Sequence, residues 1–107
     1  MQEAHFCPIH DALGKIGGKW KMLIIWHLHS TPQRFNELQR SVGGISTKVL
    51  SDQLKSLESD GLVIRQATDS RPPQVTYTLT EQGKKLQPIM QQLYDWSVQS
   101  HAAEYLL

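Results

Sequence analysis

The stretch Ser46–Leu79 constrains the fold more than any other part of the chain. Placed at 100° per residue, Leu50, Leu54 and Leu57 fall in one sector of a helix, while Lys48, Ser51, Asp52 and Lys55 fall opposite them. Ser46 is a good N-cap for that helix, and Gly61 suits a left-handed C-terminal cap. Two strand-like runs follow directly, Val63–Ala67 and Gln74–Leu79, around a loop that holds Arg71 and Pro72-Pro73. The buried side of the helix is plain leucine. Its exposed side carries short polar and cationic groups, and the hairpin after it has a cationic tip.

The segments before it complete a pattern. Asn36 to Val42 reads as a short helix with Phe35, Leu38 and Val42 turned inward, and Gly43-Gly44-Ile45 is a tight turn. Two short helices joined by a glycine turn form a helix-turn-helix, whose second helix enters the DNA major groove N-terminus first. Gln33-Arg34-Phe35 can pair as a third strand beside the hairpin. Lys19–Leu28 is apolar on nearly all sides after its opening lysines, as expected of a central helix buried between neighbours, and Thr31-Pro32 stops it. Near the start, Pro8 suits the first position of a helix with Cys7 as N-cap; Ile9, Ala12, Leu13 and Ile16 give a short stripe, broken by Gly17-Gly18.

After the hairpin, Thr80 can cap a long last helix in which Leu86, Ile89, Met90, Leu93 and Trp96 recur at three- and four-residue steps, with Val98 and Tyr94 beside them. Pro88 falls in its second turn and predicts a local bend. A winged-helix core is already covered by three helices and a hairpin. So broad a further apolar face predicts a partner, the simplest being a second copy, with those five residues at the dimer interface. The expected fold class is α+β, mainly helical: a winged helix-turn-helix with an additional C-terminal dimerisation helix. It forms a single domain over 1–107, with a DNA-binding core at about 20–80 and dimerisation helices at about 8–17 and 80–103.

Composition excludes some functions and is neutral on DNA. A chain of 107 residues fits one domain, and no apolar run is long enough to span a bilayer. Met1 to Phe6 lacks the basic start and apolar core of a signal peptide. One cysteine permits no internal disulfide, so a cytoplasmic location is expected. Net charge is only +1, and residues 34–71 hold six Lys/Arg against five Asp/Glu, so any affinity for DNA depends on where the cations sit. There is no Gly-rich phosphate loop and no recognisable pair of catalytic carboxylates, so neither an enzyme nor a cofactor is expected. Cys7-x-x-His10 supplies at most two metal ligands, and His27-x-His29 points to different sides of a helix; no metal site is expected.

The candidate DNA-binding residues are Ser46, Thr47, Lys48, Ser51, Gln53 and Lys55. Hydroxyls near a helix N-terminus suit phosphates. Lys48 reaches either guanine or phosphate, and Gln53 can read adenine but lies toward the edge of the polar face. Arg71 at the hairpin tip is placed like a wing residue that enters a minor groove, where A·T-rich segments concentrate negative potential. Arg34 and Arg65 rank below these as phosphate contacts, and Arg34 can equally pair with an acidic residue of its own domain. Asp52 and Asp69 oppose DNA unless neutralised. For Cys7 two readings stay open. A helix N-terminus favours its thiolate and makes it reactive, or it is a small buried residue that never reacts. With no second cysteine, oxidation can give a bond to Cys7 of a second copy, a mixed disulfide, an adduct or an oxyacid.

The blocks Cys7-Pro8, Gly18-Lys19-Trp20, Arg34-Phe35-Asn36-Glu37-Leu38, Ile45-Ser46-Thr47-Lys48-Val49-Leu50, Leu57-Glu58-Ser59-Asp60-Gly61-Leu62-Val63, Pro72 to Thr80 and Gly83 together resemble the HxlR family of bacterial transcription regulators, relatives of the MarR group. The match runs from Cys7 to about Trp96 with spacing intact. The resemblance implies a homodimer, joined through its first and last helices, that binds a pseudo-palindromic double-stranded DNA operator as a repressor or an activator. It also implies a small-molecule or oxidant inducer, since some members sense oxidants or quinones through a cysteine in the position of Cys7. The alternative is a winged helix used as a protein-interaction module without operator binding.

Overall fold

The computed structural model describes residues 6–101. In chain order the elements are α1 (Pro8–Ile16), α2 (Lys21–Leu28), α3 (Phe35–Val42), α4 (Thr47–Ser59), β1 (Val63–Ala67), β2 (Val75–Leu79), α5 (Glu81–Lys84) and α6 (Gln87–Ser100). The strands form an antiparallel hairpin in which Val63 faces Leu79 and Ala67 faces Val75. Gln33 adds the third strand in its shortest form, an isolated bridge to Tyr77 with N–H···O distances of 3.0 and 2.8 Å.

The core follows from the apolar periodicities. Ile24, Ile25 and Leu28 of α2, Leu38 of α3 and Leu50, Leu54 and Leu57 of α4 are buried together. Ile45, Leu62, Val63, Tyr77, Leu79 and Met90 close around them. The end of α4 is a Schellman motif: Leu62 N–H donates to Leu57 O at 2.9 Å and Gly61 N–H to Glu58 O at 3.0 Å. Gly61 sits there at φ +75°, in the left-handed region that a side chain disfavours. Leu57 and Leu62, which flank the motif, are both buried, so the cap that ends α4 also delivers the chain into the core and on into β1.

Two expectations are corrected. The predicted helix over 80–103 is two helices: α5 ends at Lys84, Leu86 N–H turns back to Gly83 O at 3.1 Å, and α6 starts at Gln87 with Pro88 in its first turn. The reason is local. A proline inside one continuous helix would lack a hydrogen bond and clash with the carbonyl four residues earlier, whereas in a first turn its missing N–H costs nothing. The expected bend is therefore a restart. Residues 102 and 103 of that prediction lie outside the described residues. The second correction concerns α2, which is not buried on nearly all sides. Leu23 is exposed, Met22 and Trp26 are half-buried, and this open side faces α6. Trp26 stacks there on Tyr94 with ring centroids 5.7 Å apart and planes 10° apart. Among the described residues, no helix is long and apolar enough to cross a membrane.

Candidate nucleic-acid interface

The surface around α4 is built from its start. Ser46 lies in the extended region, and its Oγ accepts from Val49 N–H at 3.1 Å, so the N-cap satisfies one of the free donors of the first turn. Gln39 of α3 supports the same end from behind: its Nε2 donates to Ile45 O at 3.0 Å and to Thr47 Oγ1 at 3.3 Å. Gln39 thus joins the two helices of the helix-turn-helix across the glycine turn.

Ser46, Thr47, Lys48 and Lys55 are exposed, and Ser51 is half-buried. Gln53 is also half-buried, because at 100° per residue it starts next to Leu50 and Leu57 rather than beside Lys48. Lys48 Nζ lies 2.9 Å from Asp52 Oδ2, so the carboxylate expected to oppose DNA is paired on its own helix. Among the described residues, Lys55 makes no ion pair.

The wing carries the other candidates. Arg65 projects from β1, exposed and in register with Tyr77. Arg71 is exposed at the tip, and the loop beneath it is closed by Thr68. Thr68 N–H donates to Gln74 O at 2.9 Å, Thr68 Oγ1 accepts from Gln74 N–H at 2.9 Å, and Ser70 Oγ donates to Pro72 O at 3.0 Å. Arg34 finds no acidic partner among the described residues; its Nη2 donates instead to the neutral amide of Gln74, to Oε1 at 2.6 Å, at the base of the wing. Its backbone N–H donates to Glu37 Oε1 at 2.8 Å, which caps α3.

Of the five interface candidates, Ile89, Leu93 and Trp96 form one stripe of α6 and are 50%, 52% and 67% exposed. Ile9 and Leu13 of α1 are exposed as well. Met90 is corrected: it is 4% exposed and belongs to the chain's own core, and Leu86 is half-buried against that core. A step of 100° separates Ile89 from Met90, enough to turn one outward and the other in. Cys7 is exposed at the N-cap of α1 in the lone chain, with extended backbone and no side-chain capping bond. No group of three or more metal-ligating side chains occurs among the described residues.

Sequence reasoning missed Gln39, Thr68, Gln74 and Gln33. The side chain of Gln33 bridges His27 O at 2.7 Å and Ser41 Oγ at 3.1 Å. Amide and hydroxyl side chains of this kind leave no periodic signal, and only their distant partners reveal them.

A model of the HxlR-like helix-turn-helix family matches residues 15–105. The chain belongs to this family. Among relatives of this HxlR-like chain, an uncharacterized HTH-type transcriptional regulator of Halalkalibacterium halodurans is 48% identical over 94 residues, which cover 87% of this chain and 83% of that one. Among solved structures, the redox regulator HypR in its oxidized form superposes with a TM-score of 0.81 at 41% identity, covering 88% of this chain and 96% of HypR. The reduced form of the transcriptional regulator YodB from Bacillus subtilis gives a TM-score of 0.78 at 39% identity, covering 88% and 93%. This HxlR-like protein is a transcriptional regulator of helix-turn-helix type, and its architecture is a winged helix-turn-helix with a long C-terminal helix.

Proposed function

We propose that this regulator binds a pseudo-palindromic DNA operator as a homodimer, with α4 in the major groove and Arg71 in the adjoining minor groove, and that modification of Cys7 alters binding. The observation that carries the reading is the outward face of α4, where Thr47, Lys48 and Lys55 stand exposed just beyond a capped N-terminus. A second copy seated on Ile89, Leu93, Trp96, Ile9 and Leu13 would cover apolar side chains that a lone subunit leaves in water. Two-fold symmetry then sets half-sites about 34–36 Å apart, or a multiple of that. Reactivity at Cys7 is supported by its exposure and by the similarity of the whole chain to HypR, a redox regulator solved in an oxidized form. Lys48 and Ser51 are assigned to base edges or phosphates, and Ser46 and Thr47 to the phosphates at the helix start. Gln53 and Arg65 remain peripheral.

Fluorescence anisotropy on duplex DNA from upstream of the protein's own gene, at about 50 and about 200 mM salt, tests the reading. Binding that weakens with salt and saturates at two subunits per duplex is expected. Lys48→Ala is expected to cost roughly 1–3 kcal/mol on the operator if it holds a base edge. Treatment with diamide or a quinone is expected to change the affinity of the wild type and not of Cys7→Ser; an equal response in both would remove the thiol from the mechanism. The interaction-module reading draws on the net charge of only +1. An intact dimer that binds no duplex would favour it.

A further inference from the structure

A second cationic feature lies outside α4 and the wing tip. Arg34, Phe35, Asn36, Glu37, Arg40 and Val75 line an open notch of about 400 Å³ between the start of α3 and the base of the wing. Two cationic residues, Arg34 and Arg40, line it against one acidic residue, Glu37, whose carboxylate already accepts the backbone N–H of Arg34. Among the described residues, neither arginine forms an ion pair. The side chain of Asn36 adds an amide donor on the same side as Arg40, since residues four apart share a helix face.

The notch is tied to both DNA-reading elements. Arg34 donates to Gln74 at the foot of the wing, at 2.6 Å. On α3, Gln39 reaches Thr47 at the first position of α4, and Arg40 is the next residue around the helix toward solvent. A helix in the major groove and a wing in the neighbouring minor groove must straddle a sugar-phosphate strand. Cations held beside both would meet that strand. Arginine suits this task, because its planar fork of donors matches two phosphate oxygens at once.

From this placement we infer that Arg40 and Arg34 form a clamp for one or two backbone phosphodiesters of bound DNA, a contact that positions the regulator without reading sequence. The inference rests on the DNA-binding reading above. The clamp belongs to the phosphate-positioning class of contact, so its loss weakens operator and random duplex alike.

The test is the salt dependence of binding to a random-sequence duplex and to the upstream fragment, with folding checked by thermal melting in circular dichroism. Each phosphate contact contributes about 0.9 to the slope of log K against log salt, so Arg40→Gln should flatten that slope by about 0.9 on both duplexes. Between about 50 and about 200 mM salt, that removes a factor of about 3.5 from the salt-induced loss of affinity. Arg34→Gln should do the same, while Gln74→Ala, which cuts the tether and keeps the charge, should retain the wild-type slope. If a folded Arg40→Gln shows the wild-type slope while the wild type binds DNA, the clamp is overturned and the DNA reading stands. If Gln74→Ala flattens the slope as much as Arg34→Gln does, Arg34 acts by placing the wing and not by touching phosphate. A wild type with no salt-dependent binding to either duplex overturns both the clamp and the reading beneath it.

Discussion

Replacing Asp52 with Asn separates what the Lys48–Asp52 pair does for the fold from what it does at a DNA surface. The ions are 2.9 Å apart on neighbouring turns of α4, with side chains 84% and 54% exposed. Exposed helix pairs of this spacing contribute about 0.3–0.5 kcal/mol, so Asp52→Asn should lower the melting temperature by only about 1–4 °C. Toward DNA the same carboxylate is a repulsive charge. At a separation of about 6 Å from a phosphate, the repulsion is about 0.7 kcal/mol in a fully aqueous dielectric and about 3 kcal/mol at the effective dielectric of a protein surface. Removing it also frees Lys48 for the phosphate. The effect on binding should therefore exceed the effect on stability, and Asp52→Asn should bind DNA at least about threefold more tightly at low salt. The gain should fade as salt rises and the Debye length shrinks below about 8 Å. Anisotropy titrations of wild type and Asp52→Asn across a salt series measure it. Unchanged affinity at low salt, with an unchanged melting curve, would mean that this face of α4 is not apposed to DNA. A loss confined to the operator would instead assign Asp52 a base contact, because a carboxylate can accept from cytosine N4.

Other substitutions probe the frame that holds this face. Thr80 Oγ1 accepts from Gly83 N–H at 3.0 Å and donates to Gly61 O at 2.6 Å, joining the end of α4 to the start of α5. Thr80→Val should cost about 1–2 kcal/mol in urea unfolding, whereas Thr80→Ser should recover most of it. A Cβ on Gly83 would lie 2.3 Å from the carbonyl oxygen of Leu62, a backbone atom that cannot swing aside. Gly83→Ala should therefore destabilise by about 1–3 kcal/mol despite the better helix propensity of alanine, and a neutral or stabilising result would refute that packing. For the proposed homodimer, Leu93→Ser with Trp96→Ser should shift sedimentation toward the monomer while helix content is retained; a dimer unchanged by the pair would place the interface elsewhere.

The legible parts of the fold are those specified by neighbours in sequence. Ser46, the leucines at 50, 54 and 57, and Gly61 each act within one or two turns of α4, and the helix forms where the pattern places it, over Thr47–Ser59. The strand over Val63–Ala67 likewise appears with its predicted bounds, and its partner starts one residue later than expected, at Val75. Distance along the chain erodes this. Arg34 could be ranked as a phosphate contact from sequence, but its bond to Gln74 spans 40 residues and follows no period. Pro88 was legible as a disturbance of the last helix. Whether it bends or restarts that helix turns on one backbone bond ahead of the proline, Leu86 N–H to Gly83 O, which apolar spacing does not reveal.

Apolar spacing alone also does not say whose core a side chain completes, and α6 shows why. One stripe of this helix, Leu86, Met90 and Tyr94, faces its own domain, with Met90 in the core and Tyr94, itself 54% exposed, stacked by one ring face on Trp26 of α2. The adjacent stripe, Ile89, Leu93 and Trp96, is left in water. Both repeat at helical intervals, so in sequence they merge into one broad face. For the proposed homodimer their separation has a mechanical consequence. A second copy seated on the outer stripe would be connected to α2 through the inner one, and α2 contacts both α3 and α4. The tilt of α6 on Trp26 would then set the distance between the two copies of α4. In that dimer a change at the Trp26–Tyr94 contact would act on operator spacing before it acted on any base contact.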